Sequence, residues 1–482
     1  MARKSIKKNY IYNLIYQILT LITPLITAPY LSRVLGADGV GTCSYIESVY
    51  SYFGLFATLG LTTFGQREIS YVQEDRKRRS IIFWETNIIE LATTLVCIVA
   101  YVIFSLAQPN WKLYIVLIIN LFAVIVNISW FFQGMEEFGK IVFRNILFKM
   151  INIVFIFTVI KSQDDLIWFL LGSAIFLFVN NASYWVKIRK YVDFPKLSDL
   201  HPTRHIKTVL SLFLPTVAMQ IYTVLDKTMI GIITKDAFEN GYYEQAIKIS
   251  KIVLMAVTSL GTVMIPRIGY HFEKCETKIV RDYMYRAYRF VWFLGIPLCF
   301  GLNMVASNFV PWFFGDGYEA VVPLIGILSF LILAIGINNV TGMQYLIPTK
   351  RQNVFTRTVC YGAATNFVLN YFLIREFQSY GAAIASITAE TVIAVVQLFI
   401  VRKELSTWKI VKSGWHYFLA GVIMAIVLFI VKSYLSPSII NTIILVTIGA
   451  ITYFLILLVI RDQFFFDNVI SVAKRTIRKI KK

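Results

Sequence analysis

Charge is scarce in this sequence. Of its 482 residues 15% are charged and 57% hydrophobic, and the mean hydropathy is +0.66. A chain so composed has more apolar surface than a water-soluble fold could bury. Acids are scarcer than bases, 27 Asp and Glu against 47 Lys and Arg. The five cysteines, Cys43, Cys97, Cys275, Cys299 and Cys360, are scattered, odd in number and without CxxC spacing, so neither a disulfide framework nor a zinc site follows. His201 and His205 stand four apart, and no metal is assigned to them. No G-x-x-x-x-G-K-[ST] loop is present, so ATP hydrolysis within the chain is not expected. Loops on the external side are short, which argues against an external catalytic domain. Strands alternating apolar and polar residues, the sign of a membrane barrel, are also missing.

Long apolar runs take their place. Hydrocarbon about 30 Å thick is crossed by about 20 apolar residues in helical form. About fourteen such runs recur, at 10–31, 42–63, 81–107, 112–133, 141–160, 166–187, 208–233, 241–266, 286–309, 321–345, 353–374, 380–401, 415–434 and 437–460. The expected fold is therefore all-α, a polytopic membrane helical bundle. The net charge of +20 would suggest nucleic acid in a soluble protein, but here its placement sets orientation. With "MARKSIKKNY" in the cytoplasm, roughly 37 Lys and Arg fall near cytoplasmic span ends and about 6 near external ends. Both termini are then expected in the cytoplasm. The basic start and the longer apolar stretch after it read as a retained first helix. The runs "QEDRKRRS", "VKIRKYVDFPKLSDLHPTRHIK" and "AKRTIRKIKK" fit topology and contact with anionic membrane lipids, with no substrate role.

Two halves repeat. The stretch from Thr23 can be laid beside that from Leu214, setting Pro24 against Pro215, Gly36 against Gly231, Gly41 against Gly241 and Gly60 against Gly261. This predicts an N-terminal lobe over 1–190 (helices 1–6), a cytoplasmic linker over 191–207 and a C-terminal lobe over 208–403 (helices 7–12). Two appended helices within 415–460 and a basic cytoplasmic tail over 461–482 complete the chain.

An ionised side chain deep in a span costs at least about 2.5–3.5 kcal/mol, so such groups face a partner or an aqueous cavity. In "TVLDKTMIGII" Asp226 and Lys227 are adjacent, Lys227 about 9 Å below the external surface. In "GYYEQAIKISKIV" Glu244, Lys248 and Lys251 stack on one helical face, with Lys251 near the midplane. The first repeat offers Arg33 and Glu47, and helix 5 offers Asn145, Lys149 and Asn152 on one face. Asp226 with Lys227, Glu244 with Lys248, and Arg33 with Glu47 could equally be ion pairs that hold helices in register. Lys149 and Lys251 have no carboxylate one turn away in the sequence, so a buried cation there either loses its proton or meets an anion from elsewhere, a substrate included. Glu90 and Glu390 are deep carboxylates suited to binding H⁺ or Na⁺, or to a structural role.

The stretches "YLSRVLGADGVGTCSY", "LGLTTFGQREIS", "WFFQGMEEFGKIVFRNILFK" and "FFGDGYEAVVPLIGIL" together resemble the polysaccharide-transport branch of the MOP exporter superfamily, above all the Wzx-type flippases of O-antigen and capsule repeat units. The resemblance implies two helical lobes around a cavity that opens alternately to either side. It also implies an undecaprenyl-diphosphate-linked oligosaccharide as cargo, flipped to the outer leaflet of a bacterial cytoplasmic membrane, with a polysaccharide polymerase as a further partner. The cationic lumen of the family maps here onto Arg33, Lys149, Lys227, Lys248 and Lys251, with Glu47, Asp226 and Glu244 as competing acids. No cofactor and no catalytic residue is implied. A cation-coupled multidrug exporter of the same superfamily is the alternative, though it favours acids over lysines. A membrane glycosyltransferase or polymerase would need catalytic carboxylates or a large external loop, and neither is evident.

Overall fold

A computed structural model of the protein describes residues 6–471. The first basic residues, the tail beyond 471 and the side chain of Pro215 lie outside the described residues. Among the described residues every regular element is a helix and none is a strand, as the apolar runs require.

The first nine helices are α1 (Ile6–Thr58), α2 (Leu61–Tyr71), α3 (Arg76–Leu106), α4 (Trp111–Val116), α5 (Ile118–Ile125), α6 (Ser129–Gly134), α7 (Phe138–Val159), α8 (Leu166–Ala182) and α9 (Ile206–Thr234). They are followed by α10 (Ala237–Thr258), α11 (Gly261–Glu273), α12 (Thr277–Phe314), α13 (Val321–Leu328), α14 (Leu331–Asn338), α15 (Gln352–Val401), α16 (Thr407–Lys412), α17 (Trp415–Lys432) and α18 (Ile439–Ile460). α15 holds two expected runs, and α1 holds the first run and most of the second, 42–63, which ends in α2. In α1 the pair meets at Gly36 (φ 69°, ψ 175°), and in α15 at Gln378 (φ 51°, ψ −128°). Gly36 takes its positive φ without a Cβ clash, whereas Gln378 must bear one. The run 112–133 is instead divided among α4, α5 and α6, and the run 321–345 between α13, α14 and a π-helical stretch, Asn339–Leu346.

Helix ends follow local chemistry. Asp75 caps α3 by accepting from the Arg78 amide at 3.0 Å, and Ser438 caps α18 by accepting from the Asn441 amide at 3.1 Å. Lys235 and Arg461 end α9 and α18 in the left-handed conformation.

Tertiary contacts divide the chain into two units, Met1–Gly241 and Tyr242–Lys482. In the first, Phe83, Trp130, Phe131, Phe132 and Tyr184 form an aromatic core. Gly65 lies under Trp130, where a Cβ would sit 2.4 Å from an indole carbon. In the second, α12 packs on α17 and α18 through Phe293, Ile296, Tyr417, Met424 and Tyr453. Large apolar side chains such as Ile103, Phe399 and Val459 point outward, which is stable only in a hydrocarbon surround. Nine stretches among the described residues are long and apolar enough to cross a bilayer. The protein is a multi-pass membrane protein.

Candidate functional site

In the first unit the in-span polar groups gather along two seams of α1. Along one, α7 contributes Lys149, half-buried, whose ammonium donates to Thr20 Oγ1 at 2.9 Å. Asn145, expected on the same face, turns to the other neighbour: its Oδ1 accepts from Asn180 Nδ2 at 3.0 Å and from the Tyr184 hydroxyl at 3.1 Å. That face of α7 is therefore shared between a structural amide and a lysine held toward α1. Along the other seam, Thr228 Oγ1 on α9 donates to Ser48 Oγ at 2.9 Å. Tyr52 lies beside Thr228 and Asp226. Asp226 is buried and Lys227 half-buried. The Asn240 amide spans the turn below them, its nitrogen donating to Lys227 O at 2.9 Å and its oxygen accepting from Gly231 N at 3.0 Å. Arg33 and Glu47 stand exposed on either side of the Gly36 break. Glu90 on α3 is 1% exposed, with the Trp130 indole nitrogen beside its carboxylate.

In the second unit Glu244 and Lys248 form the ion pair that their spacing allows, at 2.9 Å, and Lys251 is exposed about one turn on along α10. Glu390 on α15 accepts from Asn338 Nδ2 of α14 at 2.8 Å, which gives this deep acid a structural partner. Near it, Asn370 donates to Asn366 at 3.0 Å and Gln397 to Thr358 at 3.0 Å. The arrangement supplies cations and amides in otherwise apolar helices, a set suited to an anionic or polyhydroxyl cargo.

The linker between the expected lobes carries interactions that sequence reasoning did not find. Glu85, fully buried on α3, accepts from the His201 amide at 2.6 Å, Arg204 Nη2 at 2.6 Å and His205 Nε2 at 2.8 Å. Arg76 grips Asp193 with two bonds of 2.7 Å, and Arg79 donates to Tyr191 O at 2.6 Å. Part of the basic run 73–80 therefore straps the linker to α3 as well as marking topology. Glu85→Ala is expected to cost about 2 kcal/mol, discounted because Arg204 is half-exposed and can rehydrate. Limited proteolysis at 191–205 reads this out as faster cleavage with unchanged membrane insertion.

A second unexpected cluster joins Arg351 and Glu404 by two bonds of 2.8 and 2.9 Å, with the Tyr345 hydroxyl on the same carboxylate at 2.5 Å. Burial pushes the Glu404 carboxyl up, but hydrogen bonds from Arg351 and Tyr345 outweigh it and hold the group below its usual range. A carboxylate depressed by folding contributes stability above its unfolded pKa, about 4.3, and loses it as pH falls through the folded value. The stability deficit of Glu404→Gln should therefore be full at pH 7 and shrink below about pH 4, as thermal unfolding across pH would show.

Comparison with known proteins bears on the family and the fold. Residues 6–271 match the family described as polysaccharide biosynthesis protein. The chain is 23% identical over 406 residues to the "Putative O-antigen transporter" of Escherichia coli (strain K12), covering 83% of this chain and 97% of that one. Among solved structures it is similar to the lipid II flippase MurJ in an inward closed conformation, with TM-score 0.71, 16% identity, 96% of this chain and 99% of that one. It is also similar to an inward-facing multidrug resistance MATE family transporter of the MOP superfamily, with TM-score 0.63, 14% identity, 83% of this chain and 95% of the other. At these identities the structures establish the fold. The resemblance read from the four sequence stretches is borne out. The chain belongs to the polysaccharide biosynthesis protein family.

Proposed function

We propose that the protein flips an undecaprenyl-diphosphate-linked oligosaccharide from the cytoplasmic to the external leaflet of a bacterial cytoplasmic membrane by alternating access, for cell-surface polysaccharide synthesis. The observation that carries this reading is family membership joined to a near full-length likeness to an O-antigen transporter. The in-span cations Arg33, Lys149, Lys227, Lys248 and Lys251 suit a diphosphate, since charge-assisted bonds to phosphate are strong where water is scarce. Glu47, Asp226 and Glu244 would compete with the phosphate and ease release. Glu90 or Glu390 would exchange H⁺ or Na⁺ to drive the cycle. Both termini lie in the cytoplasm, and a polysaccharide polymerase takes the product. The MATE likeness leaves multidrug export as the second reading, and efflux of cationic dyes would support it.

Purified protein in vesicles carrying a defined undecaprenyl-diphosphate-linked oligosaccharide tests the proposal. Glycan in the leaflet reached by an added glycosidase should exchange with the protected leaflet faster than in protein-free vesicles. Equal rates would reject it.

A further inference from the structure

A second basic feature lies apart from the in-span cations, within the second unit. A cavity of about 590 Å³ is walled by α12, α16 and the start of α17, and its polar lining includes Arg286, Arg289, Lys409, Lys412, Asp282 and His416. The four cations come as two pairs spaced three apart, one on α12 and one on α16, so each pair shares a helical face turned to the cavity. The acids nearby do not neutralise them. Asp462 is taken by His416 at 3.0 Å, by the Tyr417 hydroxyl at 3.1 Å and by the Phe465 amide at 2.8 Å. Among the described residues Arg286, Arg289, Lys409 and Lys412 form no ion pair, and Asp282 is the remaining acid of the lining. Four cations face one unpaired acid.

The walls are fixed. The Trp292 indole donates to Ile410 O at 3.0 Å, and the Ser406 amide donates to the Tyr285 hydroxyl at 3.0 Å. Lys409 lies over the Tyr285 ring at 4.3 Å. These contacts hold α16 against α12, so the backbone that carries the exposed Lys409 and Lys412 is fixed beside Arg286 and Arg289.

Two further observations say what fills the cavity. About one turn beyond Arg289, α12 and α17 form with α18 and Val253 of α10 an apolar groove of about 280 Å³, lined by Leu294, Leu298, Leu302, Met424 and Tyr453. From Arg289 to Leu302 α12 rises about 20 Å, the scale of an acyl chain in one leaflet. Trp408 and Trp415, 73% and 61% exposed, flank the cavity where indoles sit at headgroup level. We infer that this cavity binds the phosphate headgroup of an anionic membrane phospholipid, whose acyl chain follows the groove between α12, α17 and α18.

Thermal unfolding of the purified full-length protein, titrated with phosphatidylglycerol or phosphatidylcholine, tests the inference. Phosphatidylglycerol should raise Tm saturably and phosphatidylcholine should not. Each cation exchanged for glutamine among Arg286, Arg289, Lys409 and Lys412 should weaken the midpoint roughly fivefold. Asp282→Asn should tighten it, a gain that a damaged fold could not produce. The inference fails if the quadruple variant responds like the parent, or if Asp282→Asn weakens binding. It fails equally if inorganic diphosphate stabilises as well as the lipid does, or if undecaprenyl diphosphate displaces phosphatidylglycerol at equal concentration, for the cavity would then serve free anions or the transported lipid. Because no transport step is read, these outcomes are independent of the flippase assignment.

Discussion

Surface glycan should disappear when Lys149 and Lys251 are both replaced by alanine, while the protein still reaches the membrane. Each lysine sits within an apolar helix, where a cation is retained at a cost of at least about 2.5–3.5 kcal/mol. A charge-assisted bond to phosphate contributes about 1.5–3 kcal/mol, so losing two weakens binding of a diphosphate at least about a hundredfold. Each single variant loses one such bond and should retain partial export. The Lys149 contact with Thr20 is to a hydroxyl, and Lys149→Met removes the charge while keeping the length. If that contact only joins α7 to α1, Lys149→Met should lower Tm and leave export per molecule unchanged. If it orients a phosphate-binding cation, export should fall with Tm preserved. Complementation of a glycan-deficient strain, with membrane levels measured by immunoblot, gives both quantities. Full glycan from the double variant would remove Lys149 and Lys251 from the site.

What could be read from the chain follows from the range over which each force acts. The apolar runs were legible because partitioning into hydrocarbon is a property of about 20 consecutive residues, and helix makes up most of each of them among the described residues. Their junctions were less so. Nothing local distinguishes Gln378, a non-glycine residue with φ 51°, from its neighbours. The Glu244–Lys248 pair was legible because its partners are four residues apart. Glu85 was not, since Arg204 and His205 lie 119 and 120 residues away. Glu90, five residues on, looked the more unusual acid because it is deeper in the run, yet Glu85 holds the linker. The basic run 73–80 satisfied the orientation rule so completely that its contacts with Asp193 and Tyr191 left no sequence trace. The cavity between α12 and α16 was hidden for the same reason, its two cationic pairs being more than a hundred residues apart.

Gly41→Val is expected to force open the contact between α1 and α10, and its size follows from the backbone. The sequence aligns Gly41 with Gly241 as repeat equivalents; in the structure the two turns pack on each other reciprocally. A Cβ at Gly41 would lie 1.7 Å from Ala237 O, and one at Gly241 would lie 2.1 Å from Ala37 O. Both turns read Ala-x-x-x-Gly, Ala37 to Gly41 and Ala237 to Gly241, the small-residue spacing that lets helices in lipid approach closely. A carbonyl cannot rotate out of the way as a side chain can, so the helices themselves must separate. Overpacking of this kind costs about 1–3 kcal/mol or more, which raises the opened population roughly 5- to 150-fold. Buried Cys43, two residues along α1, reports the opening. In a background with the exposed Cys275 and Cys360 changed to serine, Gly41→Val should speed maleimide labelling of Cys43 by that factor. Gly39, whose Cβ would meet only the side chains of Leu35 and Leu166, is the control, and Gly39→Ala should change labelling little. If Gly41→Val labels at the parent rate with Tm intact, the close approach of the two Ala-x-x-x-Gly turns is not what seals this end of α1.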